Sequence, residues 1–266
     1  MTKRIYCFRA LFLLFCLNAT SFSLHANERR TEREFYQLRL YHFRNAAQET
    51  MIDNYLQSAL LPALHRAGIA KLGVFKSLAN DTAADKQIYL LVPYKSMDQM
   101  LKIEQRLGAD ANYLSAGADF FRAPFDNAPY NRIEIILLQA FPLAPQIKSP
   151  QLNGALNERI YELRSYESPT VDYHQNKVKM FNEGGEIALF SRLGFNAVFY
   201  ASVLSGSHLP NLMYMTSFEN MAAREAHWKS FVESPEWKKL SALPEYQHNV
   251  SKIDIVFLHP ASYSDL

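Results

Sequence analysis

The second half of this chain repeats the residue pattern of its first half, and this repeat limits the fold more than any other feature. Four short segments recur in the same order, each separated from its counterpart by 120 to 126 residues. They are residues 35–41 and 160–166, 64–68 and 190–194, 93–97 and 217–221, and 132–138 and 252–258. Two long copies differ from the many short copies of a solenoid protein. The repeating unit is therefore predicted to be a whole domain.

Each copy predicts the same order of elements, βαββαβ. In the first copy an alternating strand over 34–43 precedes a helix over 46–67, which ends at Gly68, a residue type that adopts the left-handed conformation beyond a helix. The other predicted elements are strands 70–77, 87–93 and 131–141 with a helix from Ser96, and in the second copy strands 158–167, 195–203, 211–217 and 251–259 with helices over 170–193 and from Asn220. This order is typical of the ferredoxin-like motif, in which helices cover one face of a four-stranded antiparallel sheet. We therefore predict an α+β fold of two tandem ferredoxin-like modules, whose bare sheet faces pack together as a barrel-like sandwich around a shared pocket.

Residues 1–26 have the pattern of a secretory signal peptide. Three basic residues precede an apolar run over 10–17, and small and polar residues follow up to Ala26. The run is shorter than the ~20 apolar residues that cross a bilayer, so a membrane anchor is the alternative interpretation. We predict an exported, periplasmic or secreted protein with a first domain at 27–142, a linker at 143–157 and a second domain at 158–266.

Removal of this signal would change the chemistry that is available to the chain. Both cysteines, Cys7 and Cys16, would be lost, which excludes disulfides and thiolate chemistry. The signal holds three of the 28 basic residues and none of the 26 acidic ones, so the mature chain would carry 25 basic against 26 acidic residues. This balance gives no basic surface for nucleic acid, and no further apolar run is long enough to span a membrane. Sequence motifs of serine hydrolases, zincins, P-loop proteins and Rossmann proteins are absent, and we predict no metal and no cofactor.

The second copy resembles the NIPSNAP family. The resemblance lies in the strand Tyr161–Tyr166, in Arg192–Phe195, and in residues 218–240 with their two tryptophans. The first copy is similar but lacks the tryptophans. The resemblance implies the dimeric α+β barrel superfamily, here formed within one chain. That superfamily includes small-molecule monooxygenases, haem-handling enzymes and proteins without known catalysis, so it implies no single reaction.

The opening strands carry the candidate binding residues. Tyr36, Leu38 and Leu40 share one face of the first strand, and we expect helices to cover this face. The opposite rows, which would then point into the space between the sheets, contain Arg39 and Tyr41 in the first copy and Glu162, Arg164 and Tyr166 in the second. These rows predict a pocket for a small polar or anionic ligand. The alternative is two structural ion pairs, Arg39 with Glu134 and Arg164 with Asp254.

Two further features lie on the helices of the second copy. The sequence Asn182-Glu183-Gly184-Gly185-Glu186 interrupts a predicted helix, and two glycines each cost a helix about 1 kcal/mol. Glu183 or Glu186 could serve as an acid, a base or a metal ligand there, and a local kink with solvated carboxylates is the alternative. The resemblance offers His227 as a haem ligand, and its alternative is a residue at the helix boundary.

These observations leave three functions open. The leading hypothesis is an exported accessory or small-molecule-binding protein that uses the pocket between the two sheets, with no assigned catalytic residue. The second is a cofactor-independent oxygenase or isomerase that uses the same pocket. The third is a protein-interaction module, and assembly as a homo-oligomer is compatible with all three.

Overall fold

The structure is a computed structural model that describes residues 32–266. The predicted signal peptide, residues 1–26, lies outside the described residues. The strands are β1 (Phe35–Phe43), β2 (Gly73–Ser77), β3 (Lys86–Tyr94), β4 (Arg132–Ala140), β5 (Ile160–Glu167), β6 (Asn196–Ser205), β7 (Asn211–Phe218) and β8 (Lys252–Pro260). The helices are α1 (Ala46–Tyr55), α2 (Leu61–Arg66), α3 (Met97–Ala109), α4 (Ala111–Ala116), α5 (Ala118–Phe121), α6 (Val171–Asn182), α7 (Glu186–Arg192), α8 (Met221–Glu233) and α9 (Pro235–Ser241).

The helix ends follow the signals in the sequence. The side chains of Ser96 and Asn220 accept hydrogen bonds from backbone N–H groups three residues later, which caps α3 and α8. Gly68 and Gly194 adopt left-handed conformations beyond α2 and α7, with φ of 92° and 78°. The predicted starts of α3 and α8, and both glycine stops, are confirmed. Among residues 32–266, no helix has the length and apolar character that a membrane span requires.

The eight strands form one closed barrel in the order β1-β3-β2-β8-β5-β7-β6-β4. The four strands of the first half are neighbours in the order β4-β1-β3-β2, and those of the second half follow the corresponding order β8-β5-β7-β6. The halves join by hydrogen-bonded pairing, β2 with β8 and β4 with β6. Because closure pairs strands that would otherwise be free edges, it leaves fewer unpaired backbone groups. The mixed α+β fold and the barrel agree with the prediction.

The barrel interior is a packed apolar core. Tyr36 and Leu38 of β1 and Leu163 of β5 are buried in it, and the Phe75 ring lies 4.7 Å from the ring of Tyr161 in the other half. The predicted linker also contributes, because Ile147 is buried in this core. Two further cores lie outside the barrel wall, between the strands and the helices of each half.

The prediction of which strand face the helices cover was wrong. The row of Tyr36, Leu38 and Leu40 faces the interior, whereas Tyr41 and Tyr166 pack against helices. Strand alternation separates two faces but does not say which one is interior. The more uniformly apolar row occupies the barrel interior because a closed apolar space offers charged groups no partners.

The two predicted interstrand ion pairs are also absent from the described structure. Glu134 is in register with Leu40, and Asp254 with Ser165, so both carboxylates lie on the interior face. Arg39 and Arg164 lie on the opposite face, one residue away along each strand.

Candidate functional site

Glu162 on β5 is the centre of a charged cluster between the barrel wall and the helices of the second half. Its side chain is fully buried, and a buried carboxylate needs hydrogen-bonding partners. Arg164 donates from Nε at 2.6 Å, and Arg224 donates from Nε and Nη2 at 2.9 and 3.0 Å. The indole N–H of Trp228 donates at 2.7 Å. Because Arg224 and Trp228 are one turn apart on α8, both reach the same carboxylate.

Several neighbouring side chains fix the guanidinium of Arg164 in place. Its guanidinium lies 3.7 Å from the centroid of the Trp228 ring, a cation–π contact. It also donates from Nη1 to the hydroxyl of Tyr166 at 3.1 Å. The hydroxyls of Tyr166 and Tyr214 lie 2.9 Å apart. Burial raises the pKa of the Tyr214 hydroxyl well above its usual value, so this hydroxyl is neutral and adds no negative charge beside Arg164.

A second buried ion pair joins α6 to α7. Lys177 Nζ lies 2.8 Å from Glu186 Oε2, and the two residues are 4% and 2% exposed. Lys177 Nζ also lies 4.7 Å from the centroid of the Phe181 ring and 5.8 Å from that of Trp237. The ammonium therefore lies among aromatic rings, with the Glu186 carboxylate and, at 3.3 Å, the Met180 sulfur as hydrogen-bond acceptors.

The break between α6 and α7 positions Glu186. Gly185 has φ of 86°, a left-handed conformation that favours glycine. A Cβ on Gly184 would lie 2.6 Å from the carbonyl oxygen of Met180. The two glycines let the chain turn tightly, and Glu186 then begins α7 with its side chain directed at Lys177. The alternative of solvated carboxylates is wrong for Glu186, which is buried, whereas Glu183 is exposed.

Most of these groups line one surface cleft with a volume of about 420 Å³, and Glu162 lies buried behind the lining. Its charged lining residues are Arg164, Lys177, Glu186 and Arg224, and its aromatic ones are Tyr166, Trp228, Phe231 and Trp237. Aliphatic side chains of Val232 and Ile253 lie at its border and are about half exposed. The cleft therefore combines fixed cations with apolar walls.

The charges of the cleft do not cancel. Burial alone would raise the pKa of Glu162, but hydrogen bonds from Arg224 and Trp228 and the charge of Arg164 hold this pKa below its usual range. Glu162 and Glu186 thus stand against three cations, because Lys177 joins the two arginines. Arg224 has a further partner in Glu225, but that carboxylate is 65% exposed and is screened by solvent. The result is a local excess of positive charge.

The structure brings four of the seven predicted ligand-binding residues together, namely Glu162, Arg164, Tyr166 and Glu186. Glu183 is exposed and does not line the cleft. Arg39 and Tyr41 lie in the first half of the chain, where Arg39 donates to Gln37 at 2.7 Å and pairs with Glu104. Ligand binding by any of these residues stays a prediction.

Sequence reasoning missed Lys177, Arg224 and Trp237. The signal for Arg224 was its spacing of four residues from Trp228, which places both on one helix face. Lys177 gave no such signal, because a lysine within a polar helix usually faces solvent. Its burial depends on the turn at Gly184 and Gly185, which no periodic pattern in the sequence predicts.

His227 does not face the cleft. Its Nδ1 lies 2.7 Å from the backbone carbonyl oxygen of Ala223, and its ring packs edge-on against Phe195. The residue is half-buried near the edge of α8, and haem ligation by His227 stays untested. Among residues 32–266, no group of histidine, cysteine, aspartate and glutamate side chains is arranged to hold a metal ion.

Comparisons with known proteins place the barrel among related folds. A candidate monooxygenase of Lactobacillus acidophilus superimposes with a TM-score of 0.55 at 11% identity, over 86% of this chain and 94% of its own. A candidate monooxygenase of Fusobacterium nucleatum gives 0.55 at 8% identity, over 86% and 92%. A NIPSNAP-like domain protein of Burkholderia xenovorans is 18% identical over 41% of this chain and 90% of its own, with a TM-score of 0.37. At these identities the likeness concerns fold alone.

The family match falls on the half that carries the cleft. A comparison with curated proteins gave no match. The NIPSNAP family model matches residues 161–265, a range that begins at the opening strand and includes both tryptophans. Residues 161–265 therefore form a NIPSNAP-family domain.

Proposed function

We propose that this protein is an exported accessory protein that binds a small organic anion with an aromatic or apolar body. The binding site is the cleft between β5 and helices α6 to α9. One observation carries the proposal: a buried carboxylate, Glu162, fixes two guanidinium groups in a cleft that holds a third cation and two tryptophans. Export follows from the predicted signal peptide and stays a prediction.

The charge excess favours an anionic ligand. Arg164, Arg224 and Lys177 face the cleft, and Glu186 is the one carboxylate among its described lining residues. A guanidinium has five N–H donors and an ammonium three, so Arg164 and Lys177 can donate to a ligand beyond their present partners. A ligand carboxylate would form charge-assisted hydrogen bonds there, at about 2.7–2.9 Å.

The walls favour an aromatic or apolar ligand body. Trp228, Phe231 and Trp237 line the same cleft as the cations, and aromatic side chains supply large apolar contact areas. The indole of Trp228 is fixed from both sides, by Glu162 at its N–H and by Arg164 over its ring. A preformed wall of this kind reduces the entropy that binding must overcome.

This site differs from the pocket that the sequence predicted. The expected space between the two sheets is the barrel interior, where apolar side chains form a core and leave a cavity at one mouth. The cleft lies instead outside the barrel wall, on the side that carries the arginine rows. The proposal therefore keeps the predicted anionic ligand but locates its binding site outside the barrel wall.

We also propose that the chain is a tandem duplication of one ferredoxin-like module, and that the first module has lost the site. Support comes from the corresponding strand orders of the two halves and from the repeat in the sequence. The first-half counterparts of Glu162, Arg224 and Trp228 are Gln37, Met100 and Glu104, at separations of 124 or 125 residues. Arg39 there pairs with Glu104 rather than with a buried strand carboxylate.

Tryptophan fluorescence tests the binding proposal directly, because the two tryptophans of the chain, Trp228 and Trp237, both line the cleft. We expect phenylacetate to change this fluorescence saturably, and the uncharged phenylethanol and cationic phenethylamine to bind at least about tenfold more weakly. Arg224→Gln should reduce phenylacetate affinity. Arg192→Gln is the matched control, because this arginine is 53% exposed and lies outside the cleft lining.

Equal responses to the acid and the alcohol would contradict the proposal, as would an Arg224→Gln variant that binds phenylacetate like the wild type. The oxygenase, isomerase and interaction hypotheses stay open as alternatives, since the likeness to candidate monooxygenases is one of fold alone.

A further inference from the structure

A second cavity opens at one mouth of the barrel, away from the cleft of the second half. It has a volume of about 280 Å³ and is lined by interior-facing residues of both halves, together with the hairpin loop between β6 and β7. Two of its lining residues are carboxylates, Glu134 on β4 and Asp254 on β8. These occupy corresponding positions in the repeat, so each half of the chain contributes one acid to the same mouth.

The lining is organised in two layers along the strands. The outer layer contains Glu134, Asp254 and Ser165. Two residues further along each of these strands, toward the interior, lie the apolar side chains of Ile136, Val256 and Leu163. Polar side chains therefore lie at the opening of the cavity, and apolar side chains lie behind them.

Asn211 supplies an independent indication of a ligand. This residue is 3% exposed and lines the cavity. Its side-chain N–H group donates to Ser165 Oγ at 2.9 Å. Its carbonyl oxygen Oδ1 is buried and accepts no hydrogen bond from the described part of the chain. A buried acceptor without a donor is costly, and a ligand N–H would satisfy it.

The charges at the mouth favour a cation. Among its described lining residues none is lysine or arginine. Lys252 reaches Asp254 from outside the lining, at 2.8 Å, and also contacts Glu167 at 3.3 Å. Glu134 accepts a hydrogen bond from Ser207 at 3.2 Å and lies 3.9 Å from the His42 ring. His208 pairs with Glu167 rather than with either lining acid.

We propose that this mouth of the barrel binds a small amphipathic amine, with its ammonium group at Glu134, Asp254 and Asn211 and its alkyl chain in the chamber behind them. An ammonium offers three donors and no acceptor, which matches a site that consists of two carboxylates and an amide oxygen. The alkyl chain would contact Ile136, Leu163 and Val256. This site is independent of the proposed anion cleft.

Isothermal titration calorimetry with n-hexylamine tests the proposal on the mature protein at neutral pH and low salt, with hexanol and hexanoate as probes of equal length. We expect hexylamine to bind about tenfold or more tightly than hexanol, and hexanoate to bind least. Glu134→Gln and Asp254→Asn should each weaken hexylamine binding about fivefold or more, and Asp119→Asn, on helix α5, should not. Tryptophan fluorescence should stay unchanged, because neither tryptophan lines this cavity.

The following results would overturn the amine-binding proposal. An absence of hexylamine binding would do so, and so would hexanol binding as tight as that of hexylamine. Undiminished hexylamine affinity in both carboxylate variants would place the amine elsewhere. Melting temperatures close to the wild-type value would show that both variants are folded. A negative result with hexylamine would not bear on the anion cleft, because phenylacetate binding and tryptophan fluorescence test that site separately.

Discussion

Replacement of Glu162 by glutamine tests the charged cluster that organises the second half. The substitution keeps the shape of the side chain but removes the charge that two arginines and one indole N–H share. In the variant an NH₂ group replaces one carboxylate oxygen, so a hydrogen-bond donor faces the N–H donors of the arginines and the tryptophan. The expected consequence is a loss of stability, because two guanidinium groups lose the buried carboxylate that compensates for their own burial.

The size of the effect follows from burial. Removal of one partner from a buried ion pair costs about 3–5 kcal/mol. The side chains of Arg164 and Arg224 are 10% and 13% exposed, so both can regain some water, and the low end of the range, about 3 kcal/mol, applies. For a unit of this size, 1 kcal/mol lowers the melting temperature by about 2–4 °C, which gives a decrease of roughly 6–12 °C.

Thermal unfolding followed by circular dichroism, with urea unfolding at room temperature, measures this effect. Glu225→Gln is the matched control, because this carboxylate also pairs with Arg224 but is 65% exposed, and we expect little change from it. The reasoning would be refuted if Glu162→Gln melted within about 2 °C of the wild type, or if the two variants lost equal stability.

Three further outcomes are expected. Gly184→Ala should destabilise the protein more than Gly108→Ala, measured by urea unfolding, because its Cβ would meet the Met180 carbonyl oxygen at 2.6 Å whereas that of Gly108, on helix α3, meets open space; equal losses would contradict this. The lowered pKa of Glu162 means that its contribution to stability is complete above the pKa of an unfolded glutamate, about 4.3, and is lost as pH falls through the folded value. Wild-type stability should therefore fall more steeply than that of Glu162→Gln in acid unfolding curves, and parallel curves would count against it. A fragment of residues 32–150 should dimerise or aggregate in light scattering, because the β2–β8 and β4–β6 pairings that close the barrel would be missing. A folded monomer would argue against closure of the barrel by the second half.

The sequence predicted the elements well because local signals determine them. Ser96 and Asn220 begin helices, Gly68 and Gly194 end them, and strand alternation located the opening strands. The same alternation could not decide which face of each strand is interior. That choice depends on how two sheets close into a barrel, which is a property of the whole chain.

The site was predictable only in part. The strand residues Glu162 and Arg164 were found because strand alternation places them on one row with Tyr166, and Glu186 because it follows two glycines. Lys177 was missed because its burial depends on the tertiary packing of α6 against aromatic rings of other elements. Arg224 was missed because a strand and a helix that are distant in sequence meet at one carboxylate.

A crystal structure of the protein with phenylacetate tests the central claim most directly, because it locates the ligand without reference to any variant. We predict the carboxylate within hydrogen-bonding distance, about 2.7–2.9 Å, of Lys177 or Arg164, with the phenyl ring against Trp228 or Trp237. Phenylacetate inside the barrel, or on the first half near Arg39, would contradict the claim that the anion site is the cleft of the second half.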